Sequence, residues 1–160
     1  MPSPKTAPEA PTPPFSLLVT GRVSRPTSFP LSSLYAMDLL DLDPVPVICG
    51  SGEPLGTTGR LRGLLLTDLI NRVEVIVREH NDTKKMYVVA ASDDGYKTVF
   101  SWQEIFNSAN GEGILIVLEQ DGQPVHTDPP GVDLISTRDY LTGPRHVRRL
   151  QTIEIIMIAS

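Results

Sequence analysis

The residue with the clearest capacity for chemistry is Cys49, the single cysteine of the sequence. It ends a short apolar run at residues 45–49 and directly precedes a glycine-rich loop. A thiolate at the end of a strand can project from the fold, and sulfur ligands suit soft metals such as molybdenum, copper and zinc. A free cysteine is also a common core residue that acts as a small hydrophobic side chain. The residue type therefore leaves two interpretations open, a metal ligand and a core position.

The loop at residues 50–59 places Gly50, Ser51 and Gly52 immediately after the cysteine. Glycine-rich loops let several backbone N–H groups approach a phosphate or another anion. The segment contains neither the Gly-Lys-Ser/Thr of a P-loop nor the glycine spacing of a dinucleotide-binding motif. It is a candidate anion-binding loop, and an ordinary surface connection is the alternative.

A basic cluster at residues 145–149 stands out on a chain whose formal net charge is −5. It begins with Arg145, and a guanidinium group matches the geometry of phosphate oxygens. If the cluster lies in a strand, successive side chains alternate between two faces and need not converge. The cluster is thus either an anion site or a solvated strand edge.

Other patterns exclude several classes of function. The three histidines, His80, His126 and His146, follow no zinc-binding spacing. Ser51 lies outside any nucleophile-elbow motif, so no hydrolase triad is indicated and the catalytic residues are unknown. The negative net charge disfavours nucleic acid as a partner. No apolar run reaches the length of about 18 residues that a membrane-spanning helix needs.

Periodicity and turn residues predict an α+β fold made of short strands and two or three short helices. Ser101 and Glu104 fit a capping box at the start of the third helix. The segment 73–77 fits either a strand or an extension of the helix before it. Strands are predicted at residues 15–20, 45–49, 87–91, 96–100, 114–118, 132–135 and 147–158. Helices are predicted at residues 31–35, 64–70 and 102–108.

The composition divides the chain into an arm and a domain. Residues 1–14 are rich in proline and contain little to bury, which predicts an extended, disordered arm. The composition changes at Phe15, and residues 15–160 are predicted to form a single domain. A chain of 160 residues with 40% hydrophobic content can bury one core of ordinary size.

Five segments occur in an order that resembles a known family. The segments are VPVICGSG, GRLRGLLLTDLI, ASDDGYKTVFSWQEIF, ILIVLEQDGQPV and GPRHVRRLQTIEI. Together they resemble the oxidoreductase molybdopterin-binding domain family, which includes sulfite oxidase, and the resemblance extends over about residues 15–158. It implies the α+β fold of the sulfite oxidase catalytic domain, a mixed and barrel-like β-sheet with a few short helices.

The resemblance also implies a cofactor and its site. Cys49 matches the cysteine that ligates molybdenum in the family, and Arg145 falls near the basic residue that approaches the pterin phosphate. With Gly50, Ser51 and Gly52 they are the expected cofactor-binding residues, and the expected cofactor is molybdopterin with its molybdenum. The implied activity is oxygen-atom or electron transfer. Family members are often exported, so a periplasmic or secreted location is expected.

Two alternatives remain beside this hypothesis. The chain could be a non-catalytic module of the same fold that binds a small anionic ligand or a protein partner. The sequence before the first strand does not match the stretch with His and Asn that embraces the pterin in longer members. Glu53 also places a carboxylate close to the cysteine, where an anionic substrate favours cations. The other alternative is a domain that serves only as an interaction surface.

Overall fold

A computed structural model describes residues 14–159 of the chain. The arm predicted at residues 1–14 lies outside the described residues except for Pro14. The strands are β1 (Ser16–Gly21), β2 (Thr27–Pro30), β3 (Leu40–Leu42), β4 (Pro46–Ile48), β5 (Pro54–Thr57), β6 (Leu61–Leu65), β7 (Met86–Ser92), β8 (Lys97–Ser101), β9 (Ile114–Gln120), β10 (Gln123–Pro124), β11 (His126–Thr127), β12 (Pro130–Gly131), β13 (Asp133–Ser136) and β14 (Leu150–Met157). The helices are α1 (Leu31–Tyr35), α2 (Leu66–Ile70) and α3 (Trp102–Phe106), with 3₁₀ turns at Asp82–Lys85, Ala109–Gly113 and Gly143–Arg145.

Two five-stranded sheets form the body of the fold. The first has the order β2-β1-β14-β7-β8, in which β1 and β14 are parallel and the other pairs antiparallel. In the second, β10, β9, β6 and β3 follow one another and β13 also pairs with β9. The hairpins β4–β5 and β11–β12 are separate two-stranded sheets. This architecture confirms the α+β class with short helices. The sheets do not close into a complete barrel, because each large sheet ends in unpaired edge strands within residues 14–159.

The main core lies between the two sheets and includes residues of all three α-helices. β9 is buried on both faces, since Ile114 and Ile116 belong to the main core while Leu115 and Val117 belong to a second cluster with Val45. A strand buried on both faces reads as a continuous apolar run rather than an alternating one. That is why residues 114–118 consist of five apolar side chains in succession.

The helix predicted at residues 64–70 begins later than expected. Leu64 and Leu65 belong to β6, and α2 starts at Leu66. In β6, Gly63 lies so close to the carbonyl oxygen of Ile116 that an added Cβ would overlap it. This contact with β9 holds the segment extended. A short apolar run does not distinguish a strand from a buried helix, and pairing with the neighbouring strand decides between them.

Three other segments differ from the prediction. Residues 73–77 form neither a strand nor a helix, although Val75 makes an isolated bridge with Val23. The predicted loop at residues 50–59 contains β5. The closing strand starts at Leu150 because Arg149 has a φ of 53°, in the left-handed region that interrupts a strand. The alternation of faces considered for the basic cluster therefore does not occur.

Candidate functional site

Cys49 lies in the turn of the β4–β5 hairpin, which we call the Cys49 hairpin. Its backbone N–H donates to the carbonyl of Glu53 at 3.0 Å, and the N–H of Gly52 donates to the carbonyl of Cys49 at 2.8 Å. Gly52 has a φ of 89°, which a side chain would strain. The turn thus presents the thiol at the tip of the hairpin, where Cys49 is partly exposed and not a core residue.

The thiol has one close polar neighbour among the described side chains. Cys49 Sγ lies 2.7 Å from Ser51 Oγ, and the hydroxyl is the donor when the sulfur is a thiolate. This hydrogen bond lowers the pKa of Cys49 below its ordinary value, with help from the backbone N–H of Ser51 and against a smaller effect of desolvation. A thiol of this kind supplies the thiolate form that acts as nucleophile or metal ligand.

The Cys49 hairpin rests on residues 142–144, nearly a hundred positions later in the chain. Thr142 Oγ1 accepts a hydrogen bond from the Ile48 N–H at 3.0 Å and donates one to the Pro46 carbonyl at 2.8 Å. A Cβ added at Gly143 would lie 2.8 Å from the carbonyl oxygen of Ile48 and 3.2 Å from Cys49 Cα. Position 143 therefore needs glycine, because the backbones of the two segments are in direct contact.

Gly143 also lines a cleft of about 270 Å³, which lies next to the Cys49 hairpin. One wall comes from the turn between β7 and β8, and the other from the residues that precede β14. The side chain of Cys49 is not part of the cleft lining. The lining residues are Ser92, Asp94, Tyr96, Gly143, His146 and Arg148.

The turn between β7 and β8 is held by its own polar groups. The N–H of Tyr96 donates to Ser92 Oγ at 3.0 Å and to Asp94 Oδ1 at 3.1 Å. A hydrogen bond from the Ser92 hydroxyl lowers the pKa of Asp94, which keeps this carboxylate charged and paired. The Tyr96 hydroxyl donates to the carbonyl of Pro144. The two walls of the cleft are therefore joined at Pro144.

His146 and Arg148 are the nitrogen-bearing side chains of the cleft. Burial lowers the pKa of His146; Asp133 opposes that effect, whereas Arg148 adds to it. Arg148 is exposed and forms no ion pair with any residue in the described range. The same two side chains line a second cavity of about 270 Å³ beside Gln120 and Gln123. A neutral imidazole and an unpaired guanidinium thus stand between two cavities.

Arg145 has a different environment from the one expected of a phosphate-binding residue. Its guanidinium donates to the carboxylates of Glu104 and Asp139 at 2.7–2.8 Å and to the carbonyl of Val99 at 3.2 Å. It also lies 4.3 Å from the centre of the Phe100 ring. These hydrogen bonds raise the pKa of Arg145, so it is permanently charged. An anionic ligand would have to displace two carboxylates, and the phosphate-binding role of Arg145 stays a prediction.

No family model matches the sequence, and no curated protein matches it. Among solved structures, the sulfane dehydrogenase SoxCD from Paracoccus pantotrophus has a similar fold, with a TM-score of 0.66 and 11% sequence identity. The match covers 88% of this chain and 38% of that one, so the chain spans well under half of its neighbour's length. At this identity the likeness shows the fold alone. No helix within residues 14–159 is long and apolar enough to cross a membrane.

The predicted site residues fall into two places on this fold. Cys49, Gly50, Ser51 and Gly52 share the tip of the Cys49 hairpin, where Gly50 faces the ring of Pro144. Arg145 lies in the ion-pair cluster described above, outside the cleft lining. The cofactor and metal roles of all five residues remain predictions.

The sequence did not predict the cleft itself. Tyr96 is predicted to begin a strand, whereas it lines the cleft. Thr142, which holds the hairpin beside the cleft, has no sequence signal. His146 lies in no metal-binding spacing and is predicted only as a member of the basic cluster. Another histidine, His126, pairs with Asp133, and the distance from Nε2 to Oδ1 is 2.6 Å. No local sequence signal predicts this pair. Two sequence signals fall on the cleft walls: the Ser-x-Asp-Gly-Tyr segment at residues 92–96 and the basic cluster at residues 145–149, which includes His146 and Arg148.

Proposed function

We propose that the chain binds a pterin-type anionic cofactor in the cleft beside the Cys49 hairpin and acts as a molybdenum-dependent oxidoreductase domain. The observation that carries this proposal is the position of Gly143, which lines the cleft and touches the backbone of Cys49 at the same time. A partly exposed thiol and a polar cleft are thereby neighbours. The ordered sequence motifs and the fold likeness to a dehydrogenase support the same conclusion.

The side chains present fit such a cofactor. Cys49 offers a soft sulfur ligand, and its thiol forms a hydrogen bond with the Ser51 hydroxyl. Arg148 offers a guanidinium without a carboxylate partner among residues 14–159, and guanidinium groups bind phosphate in two-point geometry. The cleft volume of about 270 Å³ approaches the lower end of the range found for small-molecule sites.

Each group has a distinct task in this proposal. Cys49 would hold the metal, and the Ser51 hydroxyl would orient the sulfur. Arg148 would pair with the anionic end of the pterin, while His146, kept neutral by burial, would offer a hydrogen bond without adding charge. The bound molybdenum would supply the oxygen-atom or electron transfer, and the protein would supply binding and orientation.

Metal and pterin analysis tests the proposal. The full chain is expressed in a host that makes the molybdenum cofactor, and molybdenum and pterin are measured per folded chain. We expect near-stoichiometric amounts of both. The C49S variant should lose molybdenum, and R148Q should lose pterin. Arg138 provides a matched control, because it is an exposed arginine paired with Glu112 away from the cleft, and R138Q should keep both.

The outcomes separate the candidate functions. Folded wild-type protein that carries neither molybdenum nor pterin would overturn the proposal. Pterin without molybdenum, equally present in wild type and C49S, would leave a binding module and reject the oxidoreductase. Equal pterin content in R148Q and R138Q would show that Arg148 does not hold the anionic end.

A further inference from the structure

The Cys49 hairpin is attached to the rest of the fold in an unusual way. Its two strands pair with each other, and neither pairs with another strand in the described part of the chain. The outer edge of β4 would therefore leave backbone groups without a ladder partner. Buried or half-buried backbone N–H and C=O groups need hydrogen-bond partners, because leaving such a group without one costs free energy.

Thr142 supplies those partners with one hydroxyl group. It accepts from the N–H of Ile48 at 3.0 Å and donates to the carbonyl of Pro46 at 2.8 Å, so it binds both backbone groups that β4 turns toward it. Thr142 is 3% exposed, which keeps water from replacing the hydroxyl. The Thr142 side chain thus satisfies the backbone groups at the edge of β4 that a neighbouring strand would otherwise bind.

The hydroxyl lies one residue away from Cys49 on one side and one residue away from the cleft on the other. Ile48, which it binds, precedes Cys49 in the chain, and Gly143, which follows it, lines the cleft. The distance between thiol and cleft is therefore set where Thr142 holds the hairpin. Neither the turn hydrogen bonds within the hairpin nor the Ser51 hydroxyl can set this distance, because they move with the hairpin.

We propose that Thr142 is the positioning residue of the site: its buried hydroxyl fastens the Cys49 hairpin to the wall of the cleft and so fixes where the thiol stands. The functional importance of that position rests on the proposed function, but the fastening itself does not. Thr142 neither contacts the thiol nor lines the cleft, and it acts through the backbone of Ile48 and of Gly143, its neighbour in the chain.

The single cysteine makes the position of the hairpin measurable. A nitroxide spin label attached to Cys49 of the full chain reports hairpin motion through its electron paramagnetic resonance line shape. Wild type should show a motionally restricted spectrum. T142V keeps the shape of the side chain but removes both hydrogen bonds, and it should lose the restricted component. T142S keeps the hydroxyl and should restore it, which a purely steric role of the threonine would not predict.

A matched variant separates this effect from general loosening of the fold. Thr98 lies on β8, is 9% exposed and has no recorded side-chain hydrogen bond in the described chain, so T98V should leave the spectrum unchanged. A T142V spectrum identical to that of wild type would overturn the proposal. So would the same change in T98V, or a T142S spectrum as mobile as that of T142V.

The hydrogen bond can also be tested in the unaltered protein. The Ile48 amide should exchange with solvent slowly, because its partner is the buried Thr142 hydroxyl. Rapid exchange of this amide in wild type would overturn the proposal even if T142V failed to fold.

The molybdenum content of the Thr142 variants tests whether the position of the hairpin matters for function. T142V should retain less molybdenum than wild type after expression in the cofactor-producing host, and T142S should retain a normal amount. Absence of molybdenum from wild type would reject the proposed function and leave the spin-label result standing. Normal molybdenum in T142V together with a mobile label would reject the functional importance of the position.

Discussion

The guanidinium of Arg145 forms a two-point hydrogen bond with the carboxylate of Glu104, and both nitrogen–oxygen distances are 2.7 Å. Glu104 was expected to complete a capping box with Ser101. The serine does its half, since its Oγ accepts from the N–H of Glu104 at 3.0 Å. The glutamate side chain instead binds Arg145 and Asn110. The first turn of α3 is thus joined to Arg145, which directly follows the residues 142–144 that contact the Cys49 hairpin.

Replacing this arginine should destabilise the fold. R145M leaves the half-buried carboxylates of Glu104 and Asp139 without their cation, and removing one partner of such a cluster costs about 3 kcal/mol. The free energy of unfolding, measured by urea denaturation, should fall by that amount. R138Q is the control, because exposed pairs such as Arg138–Glu112 contribute less than about 1 kcal/mol. Equal losses in the two variants would contradict the prediction.

The same cluster predicts a response to acid. The hydrogen bond from Arg145 holds the pKa of Glu104 below its ordinary value of 4.5. A carboxyl whose folded pKa is lowered stabilises the fold above its unfolded pKa, and that contribution is lost as the pH falls through the folded pKa. Wild type should therefore lose stability below about pH 4.5, and R145M should show a shallower decline. Urea denaturation at several acidic pH values measures both, and parallel curves would reject the role of Arg145.

The Ser51 hydroxyl should control the reactivity of the thiol. Because the thiolate is the nucleophile, the rate of alkylation of Cys49 by iodoacetamide follows its ionisation. The hydrogen bond from Ser51 lowers the pKa of Cys49, so S51A should move the midpoint of the rate–pH curve to higher pH. S28A, which removes an exposed serine on β2, should leave the midpoint in place. A midpoint unchanged by S51A would show that the hydroxyl does not stabilise the thiolate.

The sequence predicted well those elements that are bounded by turn residues or by apolar runs in their own segment. β1, α1, the β7–β8 pair and β9 lie within a residue or two of their predicted positions, because turn residues and apolar runs bound them. The last two residues of β6, Leu64 and Leu65, are predicted as the start of a helix, because an apolar run has no period of its own. The extended form of this strand depends on the contact of Gly63 with Ile116, which the sequence does not display.

The candidate site was predictable to a similar extent. The placement of Cys49 at a strand end followed from the residues around it. The cleft did not, because its two walls are far apart in the sequence: the Tyr96 hydroxyl donates to the Pro144 carbonyl from 48 residues away. The basic cluster was recognised as a group, yet its members separate. Arg145 ends the 3₁₀ turn and binds the carboxylates of Glu104 and Asp139, whereas Arg148, three residues later, lines the cleft.

The last prediction concerns His146, whose pKa is held below 6.5 mainly by burial. Arg148 adds to that effect and Asp133 opposes it, and these are the charged neighbours that act on the imidazole. As the pH falls below about 6.5, the unfolded chain takes up a proton at this position before the folded chain does. The histidine thus contributes stability above its unfolded pKa, and this contribution is lost as the pH falls through its folded pKa.

Urea denaturation of wild type should therefore give a lower free energy of unfolding at pH 5.5 than at pH 7.5. The difference between the two values should shrink in H146Q, which cannot titrate. H80Q replaces a histidine that is exposed to solvent, and it should keep the full wild-type difference. Two results would contradict the prediction that the cleft wall holds a neutral imidazole. One is a wild-type protein that is more stable at pH 5.5 than at pH 7.5. The other is an H146Q variant that loses as much stability as wild type between pH 7.5 and pH 5.5.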